Sequence, residues 1–350
     1  MNSQWQTFLQ QQQATLDGDQ VIDFGDATQE RQMVESGSVL ADLSHQGLIA
    51  ASGSDTVTFL QGQFTNDVQQ VTAQQSQLTA YCNPKGRMLA SMRLFHREDR
   101  YFLSLPHSVL EPTLKRLRMF VLRSDVTLED ASDELARFGL AGPDAEALLG
   151  SQLPSLPGAV DEVVQHAQLS VIRIPGPQAR FEIYGPASEL ATLWQALQAD
   201  GATPVGYPAW SWLDTVAGVP TVVPETVEAF VPQMANLHSL GGISFTKGCY
   251  TGQEVVARMH YLGKLKRRMY RAHVDIETPP APGEPIYNAG AGTDNSAGKV
   301  VQAQPAPQGG VDLLAVLQIS SVEAAPLHLG QPDGPALSLV DLPYEVANEA

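Results

Sequence analysis

The stretch Lys247-Gly248-Cys249-Tyr250-Thr251-Gly252-Gln253-Glu254 places a thiol two residues from an ammonium group and just ahead of a helix-start pattern. Thr251 and Glu254 have the Thr-x-x-Glu spacing of a capping box, in which the threonine hydroxyl accepts from the Glu254 backbone N–H and the glutamate returns to that of Thr251. A helix is therefore expected to begin there, with Val255, Val256 and Met259 on its apolar face and Gly263 as its stop. The unsatisfied N–H groups of a helix start favour an anion, and Lys247 adds positive charge, so the pattern suits a reactive thiol or a thiolate ligand at Cys249. The alternative is a cysteine packed as a small, inert hydrophobe.

Between Lys247 and Arg271 stand seven basic residues, Lys247, Arg258, Lys264, Lys266, Arg267, Arg268 and Arg271, against Glu254 as the only acid. The chain as a whole has 21 Lys+Arg and 38 Asp+Glu and a formal charge of −17. Two accounts fit this asymmetry. One is an electropositive patch for an anionic partner, such as a polyglutamylated cofactor or an RNA backbone through Lys264, Lys266, Arg267 and Arg268. The other is a solvated strand edge whose Lys and Arg block aggregation or pair with acids elsewhere.

Other chemistries find little support. The eight histidines are scattered without ligand spacing, so no stable protein-built metal site is expected. Gly-x-Ser-x-Gly and Gly-x-Gly-x-x-Gly are absent, which argues against a hydrolase or a dinucleotide-dependent dehydrogenase. The two cysteines, Cys82 and Cys249, build no disulfide framework and no CxxC pair, which fits a reducing cytosol.

The chain has 350 residues, enough for two or three domains at roughly 150 residues each. Its 43% hydrophobic and 17% charged content is that of a globular protein. The N-terminus, with a glutamine run from Gln10 to Gln13, has no basic and apolar segments of a secretory signal. No stretch approaches the roughly 18 apolar residues of a membrane span. A soluble cytoplasmic protein without membrane contact is expected.

The elements that must position the thiol alternate between α and β. A strand over Gly47–Ala51 leads through a Gly/Ser turn into a short helix near Asp55, with Val57, Leu60 and Phe64 facing inward. Leu78–Cys82 and Met88–Phe95 read as strands joined by the hairpin turn Asn83-Pro84-Lys85-Gly86. A strand at Tyr101–Leu105 precedes a helix over Ser108–Leu122. A second α+β unit follows, with a strand near Leu135–Leu140, a short helix after Pro143, a hairpin around Pro175-Gly176-Pro177 and a helix presenting Leu190, Leu193, Trp194 and Leu197. From Arg268 onward short apolar runs punctuated by Gly, Pro, Asn and Asp predict a β-barrel or sandwich.

The eight-residue stretch, preceded by Leu240-Gly241-Gly242-Ile243-Ser244-Phe245, resembles the signature of the YgfZ proteins, folate-binding relatives of the glycine-cleavage T-protein, an aminomethyltransferase. Asp42-Leu43-Ser44-His45-Gln46-Gly47, Phe59 to Val68 and Asn83-Pro84-Lys85-Gly86-Arg87 are similar to the superfamily's N-terminal pattern in the same order, so the resemblance covers about residues 40–270. It implies an α+β, three-domain GcvT-like ring around a central channel. Its parts would be a discontinuous folate-binding region over 20–125 and 205–265, a ferredoxin-like α+β domain over 126–204 and a C-terminal β-barrel over 268–345, behind a flexible N-terminus, 1–19.

The resemblance further implies tetrahydrofolate or a derivative as ligand, with Trp210 as a stacking plate and Tyr250, Gly252, Gln253, Glu254, Asn66 and Asp67 around it; the alternative for Trp210, as for Trp212, is a large apolar residue of a short helix that belongs to the core. Cys249 is then the working thiol, with Lys247 as its activating cation. The implied role is assembly or repair of Fe–S clusters that supports tRNA methylthiolation, with Fe–S enzymes such as a tRNA methylthiotransferase as partners. Because a cluster needs about four cysteine-type ligands, a lone Cys249 would share one rather than house it. Arg87 to Ser91 lack the aspartate that aminomethyltransferases carry after their Lys-Gly turn, so a transferase role would need another acid, Asp67 or Asp214. Val216 stands where the superfamily has a pterin-binding glutamate, and Gln46 where the family has a second tryptophan. The alternatives are a folate-dependent one-carbon transferase and a tRNA-binding module.

Overall fold

The computed structural model describes residues 1–290, 292 and 295–346. Residues 291, 293 and 294 of the expected 268–345 barrel lie outside these. The chain divides into two compact units, one formed by Met1–Thr56, Gln69–Gln77 and Arg93–Leu213, the other by Val57–Val68, Leu78–Met92 and the chain from Asp214.

In the first unit, residues 1–19, expected to be flexible, carry a helix, Ser3–Gln11, whose first N–H groups are capped by the Asn2 side chain. Trp5, Phe8 and Leu9 stand at helical spacing on one face and are buried. Trp5 stacks on Phe8 and Phe138, meets Trp194 edge-on, and donates its indole N–H to the Asp42 carboxylate at 2.7 Å. Burying three aromatic or aliphatic side chains outweighs the polar glutamines that follow them.

Beneath that helix lies a six-stranded sheet in the order Val163–His166, Leu169–Arg173, Arg180–Gly185, Ala136–Ala141, Val39–Asp42, Thr203–Val205. Its pairs are antiparallel except the last, which is parallel. Helices Ala145–Gln152 and Ala187–Ala199 contribute Leu149, Leu190, Trp194 and Leu197 to the same core as Trp5. The unit also pairs Gln46–Ser52 with Arg100–Pro106 and Thr127–Asp130. Helix His107–Val121 buries Val109, Leu110, Leu114 and Leu117, as its period requires.

In the second unit, the chain from Leu78 turns at Asn83–Gly86 and re-enters a strand at Met88; Asn83 N–H bonds Arg87 C=O and Gly86 N–H bonds Asn83 C=O, both at 2.9 Å. Gly86 sits at φ +69°, a conformation that favours glycine. The C-terminal part is an antiparallel six-stranded sheet in the order Leu327–Leu329, Pro285–Asn288, Gly298–Pro305, Val311–Gln318, Arg267–Val274, Leu337–Val340. A bridge between His328 and Ala336 brings its first and last strands towards closure, so the sheet is a nearly closed barrel. Its two faces sort the side chains of Val311–Gln318: Leu313, Ala315 and Leu317 join one apolar cluster, Leu314 and Val316 another that includes Cys82, Met88, Leu237 and Val256. Among the described residues no helix is long and apolar enough to cross a membrane.

Candidate functional site

The helix Thr56–Gln61 is short, and its last carbonyls have no partners within it. Lys247 supplies one. Its ammonium donates to the carbonyls of Gln61 at 2.8 Å, Phe64 at 2.7 Å and Asn66 at 2.7 Å. Three donors meet three acceptors, and the ammonium also lies 5.1 Å from the centre of the Tyr250 ring. The side chain is 9% exposed, and burial lowers its pKa to about 8, an effect that the nearby Asp67 charge opposes. Lys247, expected to act on the thiol, is committed to tying its loop to the helix end.

The surrounding segments are sewn together in the same way. Thr65 donates its hydroxyl to Gly242 C=O at 2.8 Å and accepts from Ala80 N–H at 2.9 Å. Asn66 spends its amide on the carbonyls of Leu78 and Gly241, while its side-chain oxygen accepts from Asp67 N–H. The Asp67 carboxylate accepts from the Gln61 amide at 2.8 Å. Ser244 N–H reaches Thr65 C=O and Thr251 N–H reaches Gly62 C=O.

The helix after the thiol runs over Gln253–Leu262 and ends at Gly263, as expected, but it does not begin with the predicted capping box. Gly252 is the cap, at φ +86°, and no side chain caps the helix start. The reason is a close approach: a Cβ at Gly252 would lie 2.5 Å from the Asn83 carbonyl oxygen and 2.9 Å from Gly86 Cα. Only a residue without Cβ fits against that turn. Asn83 holds the turn by accepting the N–H groups of Lys85 and Arg87 and donating to Glu228, and Arg87 grips the carbonyls of Glu228 and Ala229. Glu254 is exposed in the first turn, where an acid complements the helix dipole. Val256 is buried on this helix, while Val255 and Met259 are half-buried.

Within this frame Cys249 is exposed, between buried Lys247 and buried Tyr250. The inert-hydrophobe reading therefore applies to the other cysteine: Cys82 is buried, and burial pushes its thiol up. Gln253 steadies the loop by donating to Gly248 C=O at 3.5 Å. The arrangement presents one accessible sulfur on a fixed loop, able to react as a nucleophile or to supply one ligand to a soft metal. Among the described residues no group of three or more His, Cys, Asp and Glu could hold a metal ion.

The structure brings Lys247, Cys249, Tyr250, Gly252, Gln253, Glu254, Asn66 and Asp67 into the second unit, whereas Trp210 belongs to the first. Trp210, expected as an open stacking plate, is 2% exposed. Arg180 lies 4.6 Å over its ring, and its six-membered ring fills the space where Gly139 lacks a Cβ. It is a core residue there. With that ring interior and both ends of the Asn66 amide engaged, the residues carried over from the family for folate do not fit a pterin as a set.

Of the basic residues, Arg271 pairs with Asp312 at 3.1 Å and Arg268 lies over Tyr270. Arg258, Lys264, Lys266 and Arg267 are exposed and enter no ion pair among the described residues. Sequence reasoning missed two features. One is the Asn83–Glu228–Arg87 platform, visible only as turn residues. The other is an aromatic group at the end of the helix, where Phe245 stacks on His260 at 3.6 Å and Tyr261 meets both edge-on.

A family model described as the GCVT N-terminal domain matches residues 6–242. The tRNA-modifying protein YgfZ of Colwellia psychrerythraea is 33% identical over 279 residues, covering 79% of this chain and 85% of that protein. The protein of the same name from Sodalis glossinidius is 33% identical over 307 residues, 88% and 93% of the two chains. Among solved structures, the glycine cleavage system aminomethyltransferase T from Bartonella henselae superposes with a TM-score of 0.74 over 100% of this chain and 98% of its own, at 18% identity. That likeness establishes the fold, a GcvT-like α+β architecture.

Proposed function

This chain belongs to the YgfZ family, and on that premise we propose that it acts in tRNA modification, with Cys249 as its working group. The observation that carries the reading is the contrast within the signature: the Lys247 and Tyr250 side chains are buried and Gly252 is pressed against the Asn83–Gly86 turn, while the Cys249 thiol is exposed. A loop held this firmly around an exposed sulfur suits repeated encounter with a partner.

In the finer reading, the Cys249 thiolate is a transient ligand to an Fe–S cluster of a client enzyme such as a tRNA methylthiotransferase. A single thiol cannot complete a cluster, so the client supplies the other ligands. The proton leaves the sulfur when the metal binds. No aminomethyl transfer is assigned, because Arg87–Ser91 hold no carboxylate to handle the proton.

The test is rescue of tRNA methylthiolation in a bacterial host lacking its own family member, comparing wild type with Cys249→Ala at matched soluble levels. Rescue by wild type alone supports the thiol role. Rescue by both removes Cys249 from it, and rescue by neither removes the tRNA-modification reading. A reduced folate enters through the family likeness only and would have to be held without Trp210. Calorimetric titration with tetrahydrofolate decides it: micromolar binding supports a folate-linked role, and an absence of heat leaves the thiol acting without one.

A further inference from the structure

From Val255 through Val274 the chain carries six Lys and Arg and no Asp or Glu, within a protein of net charge −17. The stretch is the tail of helix Gln253–Leu262, the connection beyond Gly263 and the strand Arg267–Val274. Edge protection does not account for it. The strand pairs with Leu337–Val340 only from Arg271 onward, yet Asn236 already hydrogen-bonds both backbone groups of Met269 and closes that edge with a side chain. Helix-dipole compensation does not account for it either, since Lys264, Lys266 and Arg267 lie past the helix end.

What accompanies the charge narrows the partner. Tyr261 is 63% exposed and Leu262 85% exposed beside these cations. Tyr261 is not loose: it meets the stacked Phe245–His260 pair edge-on, and its hydroxyl lies 3.3 Å from Phe245 C=O. A rigidly backed, exposed aromatic flanked by exposed cations offers stacking to a base and charge to a phosphate backbone, which is the combination single-stranded RNA segments use. An acidic protein would use the cations but gives no reason for a braced flat ring.

We propose that this end of the helix is an RNA-docking surface for the unpaired part of a tRNA, with Lys264, Lys266 and Arg267 on phosphates and Tyr261 stacked on a base. The inference rests on the tRNA-modification reading for the identity of the RNA. It also gives that reading a geometry: the helix begins four residues after Cys249 and its ten residues span about 15 Å, so RNA on its tail sits roughly one helix length from the thiol.

The test is fluorescence-anisotropy binding of the purified full chain to an unmodified tRNA transcript across a salt series. The variants are Lys264→Gln/Lys266→Gln/Arg267→Gln, Tyr261→Ala, and Lys115→Gln as a charge control in the other unit, each checked by thermal melting. Wild type is expected to bind with affinity falling steeply with salt; the triple variant should lose about two from the log–log slope, at somewhat under one per phosphate contact. Tyr261→Ala should weaken binding about tenfold with the slope unchanged, and Lys115→Gln should match wild type. A wild type that does not bind tRNA, or a folded triple variant with the wild-type slope, overturns the proposal. So does a triple variant that keeps tRNA but loses an acidic protein client, which assigns the surface to protein docking. Binding without rescue in the methylthiolation assay sinks only the functional reading; rescue by a triple variant that binds tRNA unchanged sinks only this surface.

Discussion

The Lys247 ammonium closes on the Phe64 carbonyl at 2.7 Å across 183 residues of sequence. A charged donor shared among three carbonyls, that of Phe64 buried and those of Gln61 and Asn66 partly so, is worth more than an ordinary hydrogen bond, and removing it strands the acceptors. Lys247→Met should therefore cost about 2–4 kcal/mol of stability, read from urea unfolding. A loss below about 0.5 kcal/mol would mean that the tie is dispensable and that the lysine is retained for chemistry.

The same lysine predicts a pH dependence. Its pKa is lowered from 10.5 to about 8 by burial, so between these values the unfolded chain holds a proton that the folded chain has released. Stability contributed by this group then rises with pH across that window. Wild type measured against Lys247→Met should gain ground from pH 8 to pH 10; a steady loss would show that the folded state prefers the ammonium.

The two cysteines should separate cleanly. Ellman's reagent should modify one thiol per native chain, Cys249, and the second only on unfolding, because Cys82 is buried with its thiol pushed up. Cys249→Ala should leave stability within about 0.5 kcal/mol, as an exposed side chain with no packing role. Two fast-reacting native thiols would contradict the burial of Cys82.

Much of the local structure was legible in the sequence because its determinants are local. The Asn83–Gly86 turn, the helix carrying Val109, Leu110, Leu114 and Leu117, and the strands of the C-terminal part follow from spacing and turn chemistry, although the short helix Ile319–Ala324 among those strands was not expected. What was illegible depends on distant partners. Thr251 and Glu254 have the right spacing for a capping box, yet the Asn83–Gly86 turn presses on Gly252 and takes over the helix start. Trp210 reads equally well as plate or core until Gly139 and Arg180 are placed around it. The N-terminal helix was a missed local signal, since Trp5, Phe8 and Leu9 carry the period and the following glutamines obscured it.

Trp210→Ala should accordingly behave as a core truncation, losing about 3–5 kcal/mol, while Trp210→Phe loses less. If the alanine variant instead melts like wild type, the ring is not part of the core and a ligand-stacking role regains its footing.

Gly252 and Gly241 offer an internal comparison that isolates close approach from backbone conformation. Both lie at positive φ, +86° and +70°, but a Cβ at Gly241 would meet nothing within 4 Å, whereas one at Gly252 runs into Asn83 C=O and Gly86. Gly241→Ala should cost only the left-handed conformation, about 1–2 kcal/mol. Gly252→Ala must also push the Asn83–Arg87 turn away, adding about 1–3 kcal/mol of overpacking. Because that turn carries the start of the helix behind Cys249, the displacement reaches the thiol loop. Faster exchange of the Thr251 amide with solvent, through its bond to Gly62 C=O, is the expected signature in hydrogen-exchange measurements. Equal costs for the two alanines, with Thr251 protected in both, would show that the turn yields freely and that glycine at 252 serves its φ alone.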